Sequence, residues 1–190
     1  AKEFWYIDHG YFGKGTPHRF DGYYRIVYNS IIHDTNGDFP SDRLDRFNIK
    51  FKDWRKSGNK IVMVPPSIPM GKFVGVPHEE WIDFTKQELE KYTDREIILC
   101  QKQKGKKSNL MELLKDAWVL ITDHSNCQVD ALVNGIPVIS TSPMRKIGSL
   151  AGVENPVMDR SFLKNLAYRQ WTINEINSGQ AWRELNDFPQ

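Results

Sequence analysis

The sequence predicts an α/β fold built on a parallel sheet. From about residue 58 onwards, short apolar runs alternate with segments that have helical spacing. Three strand–helix units follow one another and a fourth strand ends the series, which is the pattern of right-handed crossovers in a parallel sheet. Each apolar run has the length of a buried strand, and Gly135 follows the third helix where a glycine C-cap is expected.

The predicted elements alternate regularly along this part of the chain. Strands are expected at residues 60–64, 95–101, 117–122 and 136–140, and helices between them at residues 77 to about 92, 110–115 and 125–134. Helical spacing continues over residues 159–177, and residues 180–185 predict a last turn or two. Cys100 and Cys127 lie inside these elements without a CxxC partner, so we expect buried free thiols, with no zinc site and no disulfide.

The first 57 residues have a different character, because aromatic residues and turn formers are mixed there without a regular alternation. We therefore divide the chain into an N-terminal segment, residues 1–57, and a Rossmann-like domain, residues 58–190. Residues 4–13 predict a strand that ends in Asp8 and His9 before a glycine-bearing loop. This Asp-His pair suits general-base catalysis or the orientation of a hydroxyl, which makes both residues catalytic candidates. A loop capped by Asp8 with an exposed His9 is the alternative.

Polar residues follow every predicted strand at its carboxyl end. They are Ser67 after the first strand, Lys102 and Lys104 after the second, residues 123–126 after the third and residues 140–142 after the fourth. In an open parallel sheet these loops meet at one edge, where ligands bind. Hydroxyls, amides and ammonium groups at that edge favour a ligand that carries phosphate. The alternatives are an N-cap for Ser125 and ordinary surface charges for Asp130 and Lys102.

Residues 122–139 combine a strand, a small polar turn, a helix with an acidic residue before Ala131, and a Gly-x-Pro-Val run. This segment resembles the donor-binding stretch of GT-B glycosyltransferases, and also that of the non-hydrolysing UDP-N-acetylglucosamine 2-epimerases, which share the fold. The resemblance covers about residues 58–145 and implies a sheet of the GT-B C-terminal-domain type. It implies that His124, Ser125 and Asn126 face phosphate or sugar. It also implies that either Gln128 or Asp130 lies nearest the ribose.

Two other stretches extend this resemblance. Residues 97–102 are similar to the place where polysaccharide-type glycosyltransferases carry a basic residue towards the diphosphate, and residues 64–67 resemble the first loop of the donor domain. Lys102, Lys104 and Ser67 therefore join the expected binding rim. The N-terminal stretch, together with residues 23–25, resembles phage-encoded proteins that have glycosyltransferase-like C-terminal halves.

The sequence thus predicts a glycosyltransferase-like protein that binds a nucleotide diphosphate sugar and transfers the sugar to DNA, a glycan or a protein. The alternative enzyme is a UDP-sugar epimerase or hydrolase, and the alternative without catalysis is a nucleotide- or DNA-binding module. The nucleotide sugar is a substrate, and no cofactor or metal is implied. A homo-oligomer would complete the cleft that a reduced N-terminal segment leaves open.

The composition fits a soluble domain and leaves the partner open. The formal net charge of +2 and the pI near 8.5 do not demand nucleic acid, although basic residues gather within residues 43–60. The mean hydropathy of -0.56 and the lack of an apolar run near the roughly 20 residues of a transmembrane helix argue against a membrane span. Because no signal-peptide pattern is present at the start, we expect a cytoplasmic protein, in the host cell if it is phage-encoded.

Overall fold

The computed structural model describes residues 3–13, 21–32, 37–101, 108–142 and 147–187. The chain divides into two compact units: unit 1 comprises Ala1–Ile49 with Arg160–Gln190, and unit 2 comprises Lys50–Asp159. The sequence pattern suggested a single boundary near residue 58, whereas unit 1 combines two separate segments. Among the described residues, every helix is too short or too polar to cross a bilayer.

The secondary structure of the described ranges alternates between short strands and short helices. The strands are β1 (Trp5–His9), β2 (Tyr23–Tyr28), β3 (Lys60–Val64), β4 (Glu96–Leu99), β5 (Ala117–Thr122), β6 (Val138–Ser140) and β7 (Gln170–Thr172). The helices are α1 (Asp42–Asp45), α2 (Ile68–Val74), α3 (His78–Leu89), α4 (Leu110–Leu113), α5 (Cys127–Val133), α6 (Phe162–Ala167), α7 (Ile173–Asn177) and α8 (Gln180–Asp187). Turns of 3-10 helix occupy Leu114–Asp116 and Leu150–Gly152.

The predicted parallel sheet of four strands is confirmed and forms the centre of unit 2. β3 pairs in parallel with β4 on one side and with β5 on the other, and β5 pairs in parallel with β6, which gives the order β4-β3-β5-β6. Ile61, Val119 and Ile121 share a buried cluster with Trp81 and Leu89 of α3. Residues that alternate with these, such as Leu120, are also fully buried. The sheet is therefore covered on both faces, as its β-branched composition predicts.

The strand order shows where the direction of the crossovers changes in the sheet. From β3, the first crossover leads to β4 on one side of the sheet, and the next crossover places β5 on the other side of β3. The carboxyl ends of β3 and β5 therefore flank the switch point at which open α/β sheets bind ligands. There the Thr122 hydroxyl donates a 2.6 Å hydrogen bond to the carbonyl of Val64, which joins the two strand ends.

Gly135 ends α5 as predicted. Its φ of +76° lies in the left-handed region, which glycine adopts without the strain that a side chain would add. A Cβ atom at this position would also overlap the backbone carbonyl of Asp53, so the position tolerates no side chain. The backbone N–H of Arg55 donates to the Gly135 carbonyl at 2.8 Å, which fastens residues 53–55 to the end of α5.

Unit 1 contains an antiparallel sheet of three strands in the order β1-β2-β7, which the sequence did not reveal. The helix predicted over residues 159–177 is wrong at β7, which interrupts that segment between α6 and α7. Trp171 in β7 is fully buried and pairs with Tyr24 in β2. The spacing of apolar residues within a segment carries no information about a partner strand far away in the chain. Pairing with β2 therefore makes residues 170–172 a strand despite their helical spacing. This pairing also joins residues 160–187 to the N-terminal segment.

Two other outcomes concern short features of unit 2. The loop expected at residues 65–67 leads directly into α2, whose N-cap is Ser67: its hydroxyl accepts a 3.4 Å hydrogen bond from the backbone N–H of Met70. α2 is too short to show a helical period.

Cys100 and Cys127 are buried and free, as predicted, and burial raises the pKa of the Cys127 thiol to about 12.

Candidate functional site

The carboxyl edge of the unit 2 sheet carries a buried Asp-His pair directly after β5. Asp123 is 3% exposed and His124 is 8% exposed, and the Asp123 carboxylate contacts Nδ1 of His124. Because a carboxylate oxygen only accepts, this contact requires a proton on Nδ1. Nε2 is then the ring nitrogen that a ligand can use. Sequence reasoning assigned His124 to the site but did not assign Asp123 as its partner.

Asp123 is itself held by groups from two other elements. Its backbone carbonyl accepts a 2.5 Å hydrogen bond from the Ser140 hydroxyl at the end of β6. Its second carboxylate oxygen faces the Thr141 hydroxyl at 3.5 Å, and that hydroxyl accepts a 2.8 Å hydrogen bond from the indole N–H of Trp81. α3, β6 and the end of β5 therefore fix the position of the carboxylate together. Trp81 was predicted only as an apolar residue of a helix face, and nothing in the spacing indicates its N–H contact.

Two amide side chains that follow this pair closely in the sequence have buried polar atoms without partners among the described residues. Gln128, in the first turn of α5, is fully buried, and neither its oxygen nor its nitrogen has a hydrogen bond within the described residues. The side-chain oxygen of Asn126 is in the same condition within those ranges. An unmet buried polar group costs roughly 1–3 kcal/mol, and such groups mark functional positions when folding leaves them open. The amides are therefore available to a ligand that offers hydrogen bonds.

A histidine that sequence reasoning missed joins the loops after β3 and β4. His78, in the first turn of α3, donates from Nδ1 to the carbonyl of Pro66 at 2.6 Å. Its Nε2 then accepts from the side-chain N–H of Gln101 at 3.1 Å. The histidine is visible in the sequence, but its partners lie in two separate loops that no local pattern relates.

The remaining predicted rim residues have simpler surroundings. The Ser125 hydroxyl accepts a 3.4 Å hydrogen bond from the backbone N–H of Cys127. Ser125 is not the N-cap considered as its alternative role, because the N-cap of α5 is Asn126, whose side chain makes no capping bond. Asp130 is exposed on α5, and Ser67 is exposed at its N-cap position. Lys102 and Lys104 lie outside the described residues, so their assignment to the rim stays a prediction. Within the described ranges, no three His, Cys, Asp or Glu side chains gather as metal ligands.

The other predicted pair, Asp8 and His9 in β1 of unit 1, does not converge. Neighbouring side chains of a strand point to opposite faces. The Asp8 carboxylate accepts a 2.7 Å hydrogen bond from Arg25 and a 3.1 Å bond from the Tyr6 hydroxyl, whereas the exposed His9 ring stacks on Tyr24 with centroids 5.9 Å apart. Burial alone would raise the pKa of Asp8, but the backbone N–H of His9 and the Arg25 charge together lower it.

No family model, no curated protein and no solved structure matches this chain. The residues at the carboxyl edge of unit 2 are therefore the physical basis for assigning a function, since a Rossmann-like sheet alone supports many activities.

Proposed function

We propose that unit 2 binds a nucleotide diphosphate sugar at the carboxyl ends of β3 and β5, and that the protein transfers the sugar to an acceptor hydroxyl. One observation carries the proposal. A buried Asp123–His124 pair lies at the switch point of the parallel sheet, and a few residues further along the chain the Gln128 amide and the Asn126 side-chain oxygen have no partner among the described residues. A solvated surface loop would have no reason to bury Asp123, His124 and Gln128 and to leave the Gln128 amide without a partner among the described residues.

The chemistry of these groups suits a nucleotide sugar. Such a ligand presents many hydroxyls, a diphosphate and a base, and it needs both donors and acceptors from the protein. A buried imidazole and two amides supply both kinds of group. The resemblance of residues 122–139 to GT-B donor sites supports this ligand class independently of the geometry. Ser67, Ser125, Lys102 and Lys104 are then the proposed diphosphate contacts.

Between the two ribose candidates, we assign the contact to Gln128. Its amide is fully buried and has no partner within the described residues, so a ribose hydroxyl would satisfy both of its polar atoms. Asp130 is exposed on α5, so its carboxylate carries no comparable burial penalty. A contact that removes a buried penalty strengthens binding more than one that exchanges with solvent.

A nucleotide-binding module without catalysis is the second candidate, and one observation favours it. The predicted catalytic residues Asp8 and His9 do not face each other, and Asp8 is held by Arg25 in its charged form. The catalytic role of this pair stays a prediction. If transfer does not occur, nucleotide binding by unit 2 would remain as the activity of the site.

Calorimetric titration of the full chain with UDP, GDP, CDP and their sugars tests the proposal. The wild type should bind one of these nucleotides, and His124→Ala should weaken that binding about 5- to 150-fold, because a ligand group left without its partner in a buried site costs roughly 1–3 kcal/mol. His9→Ala is the matched control, since it removes the same ring from unit 1 and should leave the affinity unchanged.

Assays of sugar release and sugar transfer then separate the alternatives. Transfer to a glycan, DNA or protein acceptor supports the transferase, release of free sugar to water supports the hydrolase, and binding without turnover supports the module. Equal affinities for wild type and His124→Ala, with both proteins folded in thermal melts, would contradict the location of the site.

A further inference from the structure

We infer that Asp123 is a positioning residue that keeps the proton of His124 on Nδ1, so that Nε2 accepts a hydrogen bond from a hydroxyl group of the bound ligand. The nature of the ligand rests on the proposed function, whereas the placement of the proton does not. The inference adds two statements to that function: the protonation pattern of His124, and the kind of ligand group that the ring recognises.

The backbone explains why these two neighbours meet. Successive side chains in a strand point to opposite faces, but β5 ends at Thr122. Asp123 and His124 follow that end, where the chain turns towards α5, and there the carboxylate of one side chain contacts Nδ1 of the other. The exposed fractions of 3% and 8% leave little water to compete for this contact.

The proton position follows from the partner. A free imidazole in water prefers the proton on Nε2, and in a protein the hydrogen bond made by one ring nitrogen decides the state of the other. A carboxylate at Nδ1 holds the proton there, and Nε2 keeps its lone pair while the ring is neutral. A buried Asp orients the histidine of a serine hydrolase triad by the same physical effect.

The carboxylate cannot easily turn away from the ring. Its second oxygen faces Thr141, whose hydroxyl is held by the indole of Trp81 at 2.8 Å, and the Asp123 carbonyl is held by Ser140 at 2.5 Å. Rotation of the Asp123 side chain would move it away from Thr141 inside a buried site. The chain from Trp81 to His124 therefore sets the ring orientation before any ligand arrives.

The lone pair on Nε2 selects the ligand group. A phosphate oxygen at neutral pH is an acceptor and has no proton to share with a neutral ring, whereas a hydroxyl donates. We therefore assign a sugar hydroxyl, and not a phosphate oxygen, to His124. The hydroxyl belongs either to the ribose or to the transferred sugar, and both sources present the same chemistry to Nε2.

Long-range proton–nitrogen correlation spectra of the full chain, labelled with 15N-histidine, test the proton position directly. In its neutral form, the His124 ring should show a protonated Nδ1 and an unprotonated Nε2, with its signals assigned by their loss in His124→Gln. Asp123→Ala should return the proton to Nε2. Asp123→Asn should have the same effect, because its side-chain N–H can donate to Nδ1, as when asparagine replaces the triad aspartate of a serine hydrolase. Asp83→Ala on the exposed side of α3 is the matched control.

Titration with the nucleotide that the wild type binds, and with its sugar conjugate, tests the ligand group. Asp123→Ala and Asp123→Asn should each weaken binding about tenfold, because either change lets the proton move to Nε2. An equal loss for the two ligands identifies a ribose hydroxyl, and a loss confined to the conjugate identifies the transferred sugar. Either pattern supports the inference.

Several outcomes would overturn the inference, and they differ from failure of the proposed function. A proton on Nε2 in the wild type, or the same spectrum in wild type and Asp123→Ala, removes the positioning role. Unchanged affinity for both ligands in Asp123→Ala overturns the hydroxyl assignment. If the wild type binds no nucleotide while the predicted spectra are observed, the proposed function fails and the proton placement stands. If Asp123→Ala does not fold, the spectra and affinities of Asp123→Asn are compared with those of the wild type instead.

Discussion

The chain contains the dipeptide Asp-His twice, and the two copies have different geometries. Asp8 and His9 both belong to β1, so the strand sends one side chain towards Arg25 and the other towards Tyr24. The second copy follows the end of β5, and there the carboxylate and the imidazole meet in a buried contact. The same two residue types contact each other through their side chains only where the backbone has left the strand.

The surroundings of the two aspartates differ as much as their backbones. The Arg25 guanidinium, only 9% exposed, depends on Asp8 for its ion pair, and the backbone N–H of His9 also donates to the carboxylate. Asp123 has a histidine and two hydroxyls for partners. We therefore expect the first aspartate to affect mainly the stability of unit 1 and the second to affect mainly ligand binding.

The largest expected effect on stability is that of Asp8→Ala. Removal of the carboxylate leaves the buried Arg25 without its ion-pair partner, which should lower the free energy of unfolding by about 2–4 kcal/mol, somewhat below the full cost of breaking a buried pair because Asp8 is 39% exposed. Urea denaturation followed by tryptophan fluorescence measures this loss. Glu90→Gln removes a carboxylate from an exposed pair with Lys86 and should cost less than about 0.5 kcal/mol.

The double variant Asp8→Ala/Arg25→Met checks the cause of that loss. With the guanidinium gone as well, no buried charge is left unpaired, and we expect stability to return to within about 1–2 kcal/mol of the wild type. Losses that simply add would contradict a structural role for the pair. A fall in nucleotide affinity in Asp8→Ala, with the fold intact, would bring unit 1 into the binding site.

The acid dependence of stability should differ between the wild type and Asp8→Asn. Because the pKa of Asp8 is lower in the folded protein than its unfolded value of about 3.9, the ionised carboxylate stabilises the fold above that value. The contribution is lost as the pH falls through the folded pKa. Thermal melts should therefore show the full difference at neutral pH and converging midpoints in acid. A difference that persists at the most acidic pH would indicate another cause.

The smallest effect is expected for His9→Ala. The ring is exposed, and its stacking on Tyr24 contributes about 0.5–1 kcal/mol at most. Thermal melts should show a small shift, and the nucleotide affinity should match that of the wild type. If His9→Ala instead abolishes sugar transfer while nucleotide affinity and fold are retained, the catalytic role predicted for this residue is supported.

The sheet of unit 2 was predictable because its signals are local. The apolar run at residues 60–64 indicates a buried strand, and Gly135 indicates the end of a helix, without reference to the rest of the chain. The sheet of unit 1 was not predictable, because β2 pairs with β7 through residues that are far apart in the sequence, such as Tyr24 and Trp171. A strand whose partner lies more than a hundred residues away leaves no periodic signal of its own, and its neighbours have helical spacing.

The candidate site was predictable in location and less so in detail. The rule that ligands bind at the carboxyl ends of strands placed His124, Ser125 and Asn126 at the edge before any coordinates were known. The pairing of Asp123 with His124 depends on backbone angles just after β5, which residue type alone does not determine. The contact of Trp81 with Thr141 could not be predicted either. The apolar period of α3 already explains a buried tryptophan at this position, and it gives no sign that the indole N–H has a partner.

Unit 1 is split by unit 2, and this order of segments affects folding during synthesis. Unit 2 is continuous and has all its strands once residue 159 has left the ribosome, whereas unit 1 still lacks β7. Until then β1 and β2 form only a hairpin, which is marginally stable alone, and Ile26 lacks the packing of Trp171, Ala181 and Leu185. Chains that contain a contiguous domain commonly fold it as a unit when it emerges. Residues 1–49 are therefore synthesised before unit 2 but complete their fold after it, because β7 and α8 come later in the chain.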